Sequence, residues 1–268
     1  MAFTNQRGTL MRTTIPILLY HGVPRVNAGG GDGLAVPVAR FAEHLDVIAG
    51  SGRRTLTVGE VAAALRGEHP LPERAVAITF DDGYDDTLAA IEMLCERRLR
   101  TTLYVTTGQI GAPSMIGHEQ LQTLGEWGAY VEIGAHTVTH PHLDELPAPT
   151  VDRELSQSKE VLEQALRRRV DTFAYPYGAY DQRVRQAVVD AGFSSAAAVK
   201  NALSHGEDDP WAIARWTVDA STTAQRIAEV LEGDTVPTAW RHERLRTRGY
   251  RAVRKLRHRT GLRAGSSR

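Results

Sequence analysis

Residues 75–83, Ala-Val-Ala-Ile-Thr-Phe-Asp-Asp-Gly, decide how this chain reads. Six uncharged residues rich in β-branched and aromatic side chains predict a strand buried on both faces, as strands of a parallel sheet are. Asp81 and Asp82 then stand where the strand emerges. In parallel α/β folds that C-terminal edge is where sites form. Neighbouring side chains of a strand point to opposite faces, so two adjacent acids serve one site only if the backbone turns at once, and Gly83 permits the turn. A polar β-turn is the competing reading of the same residues.

Working outward, similar runs at 15–20, 101–106, 130–134, 172–175 and 212–218 are further strand candidates. Amphipathic stretches lie between them. Val38, Phe41, Leu45 and Ile48 recur at helical spacing, and Thr57 with Glu60 forms a capping box before residues 61–65. Leu88, Ile91, Leu94 and Leu99 mark a helix opened by Asp85 and Asp86, Leu155, Leu162, Ala165 and Leu166 mark another, and residues 182–191 stop at Gly192. Strands alternating with helices, without internal repeat or interdomain linker, predict one barrel-like α/β domain. The glycine run 29–33 lacks the Lys-Ser/Thr of a phosphate loop and reads as a mobile loop.

With 268 residues, 42% of them hydrophobic, the chain can bury a sizeable core, and its single cysteine excludes an intramolecular disulfide. Cys95, among Ile91, Leu94 and Leu99, reads as buried filler rather than a reactive thiol. A formal net charge of zero hides an asymmetry. Eleven Lys and Arg against one acid, Glu243, fall in residues 237–268, leaving 21 basic and 31 acidic residues in the first 236. Such a tail points to an anionic surface, and Leu245, Ala252 and Leu256 with Trp240 and Tyr250 suggest peripheral contact with an anionic membrane; a solvated disordered tail is the alternative. The apolar run at 15–20 is short, contains Pro16 and ends on His21, so no secretory signal or membrane span is recognised, wherever between Met1 and Met11 translation starts. The expected location is cytoplasmic, with the inner membrane face as the place the tail would touch. No nucleic-acid partner is expected.

Following the strand candidate 130–134 comes His136-Thr-Val-Thr-His140. If that segment is helical, the two imidazoles share one face. Two histidines and one carboxylate suit a three-ligand site for Zn2+ that keeps a position for water or substrate, while His142 is a near neighbour that such a site does not need.

Thr79-Phe80-Asp81-Asp82-Gly83, His136-Thr-Val-Thr-His140 and Phe173-Ala-Tyr-Pro-Tyr177-Gly178 resemble, in order and spacing over roughly residues 15–218, three motifs of the polysaccharide deacetylase (NodB-homology) family. The resemblance implies a distorted (β/α) barrel of about seven strands, a divalent metal, with Zn2+ expected and Co2+ or another ion as alternatives, and an N-acetylglucosamine-type glycan or glycoconjugate as substrate. Carried over position by position, it makes Asp82, His136 and His140 the metal ligands, Asp81 the general base, and the backbone N–H near Tyr177 an oxyanion donor. It divides the chain into a leader 1–14, a catalytic domain 15–236 and the basic tail 237–268.

Two departures stand out. Where the third motif usually begins with an arginine that braces the catalytic aspartate, this chain has Ala174. Arg215, on the last predicted strand, is a candidate replacement, with a surface or structural arginine as the plainer reading. The family's C-terminal Leu-x-His is not found; instead Leu19-Tyr20-His21 stands near the N-terminus, resembling a circularly permuted branch acting on poly-N-acetylglucosamine. That makes His21 the expected general acid. The alternative function is a catalytically silent, metal-containing glycan-binding module that uses its aromatics for stacking; Trp127, Trp211 and Trp216 are candidates to stack on a sugar, with core packing as the equal alternative for each. A third reading is a membrane-surface adaptor acting through the tail.

Overall fold

In the computed structural model, which describes residues 13–25 and 33–239, β4 (Ala75–Phe80) is the strand on which the barrel closes. Its neighbours are all parallel. β2 (Ile17–Tyr20) runs along one edge, while β3 (Arg54–Leu56) covers the first half of the other edge and β5 (Thr101–Val105) the second half. From β5 the barrel continues through β6 (Val131–Ala135), β7 (Thr172–Ala174), β8 (Ser195–Val199) and β10 (Ile213–Thr217) back to β2. Seven strands therefore form a closed parallel (β/α) barrel, and β3 is an extra strand on its outside. Pro16 cannot donate to the ladder, and it divides the apolar run at 15–20 into β1 (Thr14–Ile15) and β2. β1 pairs antiparallel with β9 (Ser204–His205) beside the barrel.

Alternation along each strand sorts the core into two layers. Leu18, Tyr20, Ile78, Phe80, Leu103 and Ile133 face outward and pack in the main core cluster. The helices α1 (Val38–Gly50), α2 (Val58–Leu65), α3 (Thr87–Glu96), α4 (His118–Glu126), α5 (Ala148–Leu166), α6 (Gln182–Asp190) and α7 (Ala224–Glu232) follow the strands in turn. The inward layer contains Ile17, Ala77, Tyr104, Ala174, Ala197 and Ile213, and it is joined by Val58, Val61 and Ala62 of α2, which covers the N-terminal mouth. The Thr57–Glu60 capping box that opens α2 is present. Glu132 of β6 accepts the Gly59 N–H (3.0 Å) and the Thr102 hydroxyl (2.8 Å), fixing this plug. With that end covered, access to the interior is from the C-terminal edge.

Cys95 is half-buried on α3. Among the described residues, no helix is long and apolar enough to cross a membrane. Residues 1–12, 26–32 and 240–268 lie outside the described residues, and with them most of the leader, of the glycine-run loop and of the basic tail.

One buried polar contact ties α1 to the barrel. His44 is fully buried, its Nε2 3.0 Å from the Thr222 carbonyl and its Nδ1 3.2 Å from the Tyr20 hydroxyl. A carbonyl only accepts, so Nε2 carries the proton and Nδ1 accepts from Tyr20, which is a neutral imidazole. Burial, then the nearby Arg40, hold the His44 pKa below its ordinary 6.5 against the raising effects of Thr222 and Glu43. The unfolded chain then binds a proton that the folded chain excludes, so stability is lost as pH falls below about 6.5, with a slope of at most about 1.4 kcal/mol per pH unit for this one proton. His44→Gln, whose amide can make both bonds, should flatten that slope in urea titrations repeated from pH 7.5 to 5. A variant as pH-sensitive as the natural chain would locate the effect elsewhere.

Candidate active site

The inward series of β4 runs through Ala77 and Thr79 to Asp81, which is buried at the C-terminal edge. Alternation would send Asp82 outward. It turns back because Asp82 itself has left-handed backbone (φ 74°), followed by Gly83 (φ 88°). The turn thus begins one residue earlier than the glycine suggests, and both carboxylates face one site.

The second motif differs from its helical expectation. Residues 136–140 contain no helix, and Thr137 (φ 67°) and His140 (φ 59°) are both left-handed. A buried acid holds this turn. Glu154 of α5 accepts the N–H groups of Val138 (2.8 Å) and Thr139 (2.9 Å) and the Thr139 hydroxyl (2.6 Å). Sequence reasoning missed Glu154, although its place beside Leu155, on the face that also buries Val151 and Ser158, is where a surface acid would not sit. The imidazoles converge without a helix. Nε2 of His136 and of His140 are 3.2 Å apart, and Asp82 Oδ1 lies 3.5 Å from the first and 3.2 Å from the second.

These atoms fit a divalent cation. Three ligands at about 2.1 Å in tetrahedral arrangement are about 3.4 Å from one another, close to the observed triangle. Nδ1 of His136 lies 2.8 Å from the Ala174 carbonyl and must donate to it, so its Nε2 presents a lone pair to the triangle. Burial raises the Asp82 pKa, but the His140 hydrogen bond and the charges of His136 and His21 outweigh it and leave the carboxyl at about 2. An ionised carboxylate and an imidazole lone pair pointing at one spot call for a cation between them.

Arg215 is not a surface arginine. Fully buried on β10, it forms a two-pronged salt bridge with Asp81, Nη1 to Oδ1 at 2.6 Å and Nη2 to Oδ2 at 2.7 Å, with Nη1 also 3.2 Å from Thr79 Oγ1. The guanidinium lies 5.3 Å from the Tyr104 ring centroid. That ring crosses the barrel where Gly134 stands, since a Cβ there would come within 2.6 Å of it. Burial works to raise the Asp81 pKa, but Arg215 and then His136 hold it below the ordinary value. The brace comes from β10, two strands from Asp81, and Ala174 contributes its carbonyl to His136 instead.

His21 follows β2 at the same edge, near enough for its charge to lower the pKa of both Asp81 and Asp82. Its Nδ1 is buried without a hydrogen-bond partner among the described residues. β2 lies between β10 and β4. Tyr177 has left-handed backbone (φ 57°), and its ring centroid is 4.6 Å from that of His140 and 4.1 Å from that of His142. His142 is thus a stacking partner of Tyr177 rather than a member of the triangle. The three tryptophans are half-buried: Trp127 packs on the core, Trp211 donates to the Phe193 carbonyl at 3.0 Å, and Trp216 lies 5.5 Å beneath the Arg226 guanidinium.

Comparison with known proteins gives a concordant result. The family model for polysaccharide deacetylase matches residues 68–196, a span that includes Asp81, Asp82, His136, His140 and Tyr177 but neither His21 nor Arg215. YxkH of Bacillus subtilis (strain 168), classed with the polysaccharide deacetylases, is 25% identical over 219 residues, 81% of this chain and 76% of that protein. The fold matches the Streptococcus pyogenes deacetylase PplD, solved in complex with acetate, with TM-score 0.74 and 21% identity over 81% of this chain and 98% of that one. IcaB from Ammonifex degensii gives TM-score 0.72 and 24% identity over 82% and 97%. The motifs, the barrel and the match agree: residues 68–196 carry a polysaccharide deacetylase domain, and the protein resembles the carbohydrate deacetylases among the hydrolases.

Proposed function

We propose that the protein removes the acetyl group from an N-acetylated sugar of the N-acetylglucosamine type, using water, a divalent cation and four groups of its own. The observation that carries this reading is the Asp82–His136–His140 triangle lying beside a second, ionised carboxylate whose charge Arg215 maintains. A ligand carboxylate is occupied by the cation, so hydrolysis needs another to take a proton from the attacking water, and Asp81 is that group. When bound at the triangle, a divalent ion such as Zn2+ supplies Lewis acidity toward the acetyl carbonyl and the water. Arg215 orients Asp81 through both oxygens and keeps it ionised. The Tyr177 N–H, set by the left-handed turn after Pro176, is offered to the developing oxyanion. His21 stands on the same edge to protonate the departing amine.

The feature that favours a silent binding module is Ala174 in place of the arginine, and the Arg215–Asp81 pair, reaching in from another strand, weighs against it. Mass spectrometry on soluble, lipid-linked and polymeric N-acetylated glycans, with and without Zn2+, tests the reading. Acetyl loss that requires the ion supports it, and unchanged glycans across the panel with Zn2+ present overturn it.

His21 gives a separate expectation. An amine leaves an amide only when protonated, whereas an alkoxide leaves an ester more readily. His21→Ala should therefore lower kcat on an N-acetyl sugar about 10^2-fold while sparing a matched O-acetyl substrate and leaving metal content unchanged. Equal losses on the two substrates would assign the proton to another group.

A further inference from the structure

Few large hydrophobic side chains of the described residues are exposed, and Tyr177, 58% exposed, is more so than Val161 at 38%. An aromatic ring open to water beside a polar cleft is where a ligand's apolar surface would be covered. The ring is also held in place. Its backbone is left-handed (φ 57°, ψ 9°), a conformation unfavourable for a bulky residue, which commits the side chain to one direction. His142 stacks on it at 4.1 Å with only 19° between the planes, and the His140 ring meets it at 4.6 Å and 66°. The ring therefore stands next to a corner of the triangle.

A pyranose has hydroxyls around its rim and a patch of C–H bonds on its face. An immobilised aromatic face covers that patch without competing for the hydroxyls, whereas a mobile one would lose rotamer entropy on binding. We propose that the Tyr177 ring, backed by His142, is the platform on which a pyranose of the glycan stacks, at or next to the acetamide-bearing residue. This use of the side chain is separate from the backbone N–H of Tyr177, and it rests on the deacetylase reading for the identity of the sugar. His142, superfluous to a three-ligand triangle, gains a positioning role here: it keeps the ring from turning.

The test uses the zinc-loaded full chain and the N-acetylglucosamine tetramer. KM and kcat are read by amine release, and saturation-transfer NMR reads which sugar protons touch protein. Tyr177→Leu keeps an apolar side chain of similar reach but removes the ring, and it should raise KM about fivefold to tenfold. Tyr177→Phe keeps the face and should stay within about twofold in KM. His142→Ser, which leaves the backbone turn alone, should raise KM about threefold and reduce transfer to the sugar C–H protons. A Phe variant as weak as the Leu variant would make the hydroxyl the contact, and an unchanged KM in both Leu and Ser variants would remove the platform while turnover upheld the deacetylase reading. Absence of both transfer and amine release in the natural chain would overturn the two together.

Discussion

Arg215→Met should lower stability by about 3–5 kcal/mol and turnover by about 10^2-fold or more. Arg215 and Asp81 are both buried and joined by two short bonds. Removing the guanidinium leaves a carboxylate in a site whose burial works to raise its pKa, with His136 and His21 the remaining side chains that oppose it. Asp81 then loses the contact that orients both of its oxygens, and the pull of burial toward its protonated form is less opposed. Arg215→Lys should recover part of the stability but little of the activity, because one ammonium cannot orient both oxygens. Zinc content should persist in both variants, since Arg215 bonds to no member of the triangle. Urea unfolding, zinc analysis and amine release on one preparation decide the matter: a folded Met variant with natural turnover would show that the brace is not needed.

Sequence reading offered Arg215 only as a candidate brace behind the plainer surface or structural reading, and the reason is geometric. β10 places Arg215 opposite Asp81 only because closure sets β10, β2 and β4 side by side, and no local pattern announces which strands a barrel brings together. Glu154 was hidden in the same way, by an inter-element contact to the 136–140 turn. What is local was legible. The runs that became β2, β4, β5, β6, β7 and β10, the α2 capping box and the five motif residues Asp81, Asp82, His136, His140 and Tyr177 could all be read from the chain. β8, Ser-Ala-Ala-Ala-Val, could not, because alanine favours helix and only the barrel makes the run extended. Its small side chains are useful there: Ala197 and Ala174 pack with Tyr104 in the inward layer, on which the Arg215 guanidinium rests. The two left-handed residues at 137 and 140 were illegible for a further reason: neither is glycine, and the Glu154 contacts that hold the turn come from another element.

The second large effect separates two adjacent aspartates by what each variant loses. Asp82→Asn should lose the cation and with it all measurable turnover, because the triangle then offers two neutral imidazoles and an amide, with no anion to hold a divalent charge. Asp81→Asn should keep the cation, since Asp81 is not one of the three converging ligands, and should still lose about 10^2-fold or more in kcat because an amide accepts no proton. Its stability should fall too, as Arg215 loses its anionic partner, so both variants are compared only after unfolding curves show them folded. Chelation of the natural chain should reproduce the Asp82→Asn phenotype, and Zn2+ or Co2+ should reverse it, whereas neither ion should rescue Asp81→Asn. The contrast follows from the backbone at one residue. With Asp82 in ordinary extended conformation its side chain would leave the edge, and Asp81 alone would face His136, 3.7 Å away. The left-handed turn at Asp82 brings in a second carboxylate, and in the proposed mechanism this lets one acid stay on the cation while its neighbour takes a proton. A folded Asp81→Asn protein without its ion would exchange the two roles and assign the Arg215 pair to a ligand rather than to a base.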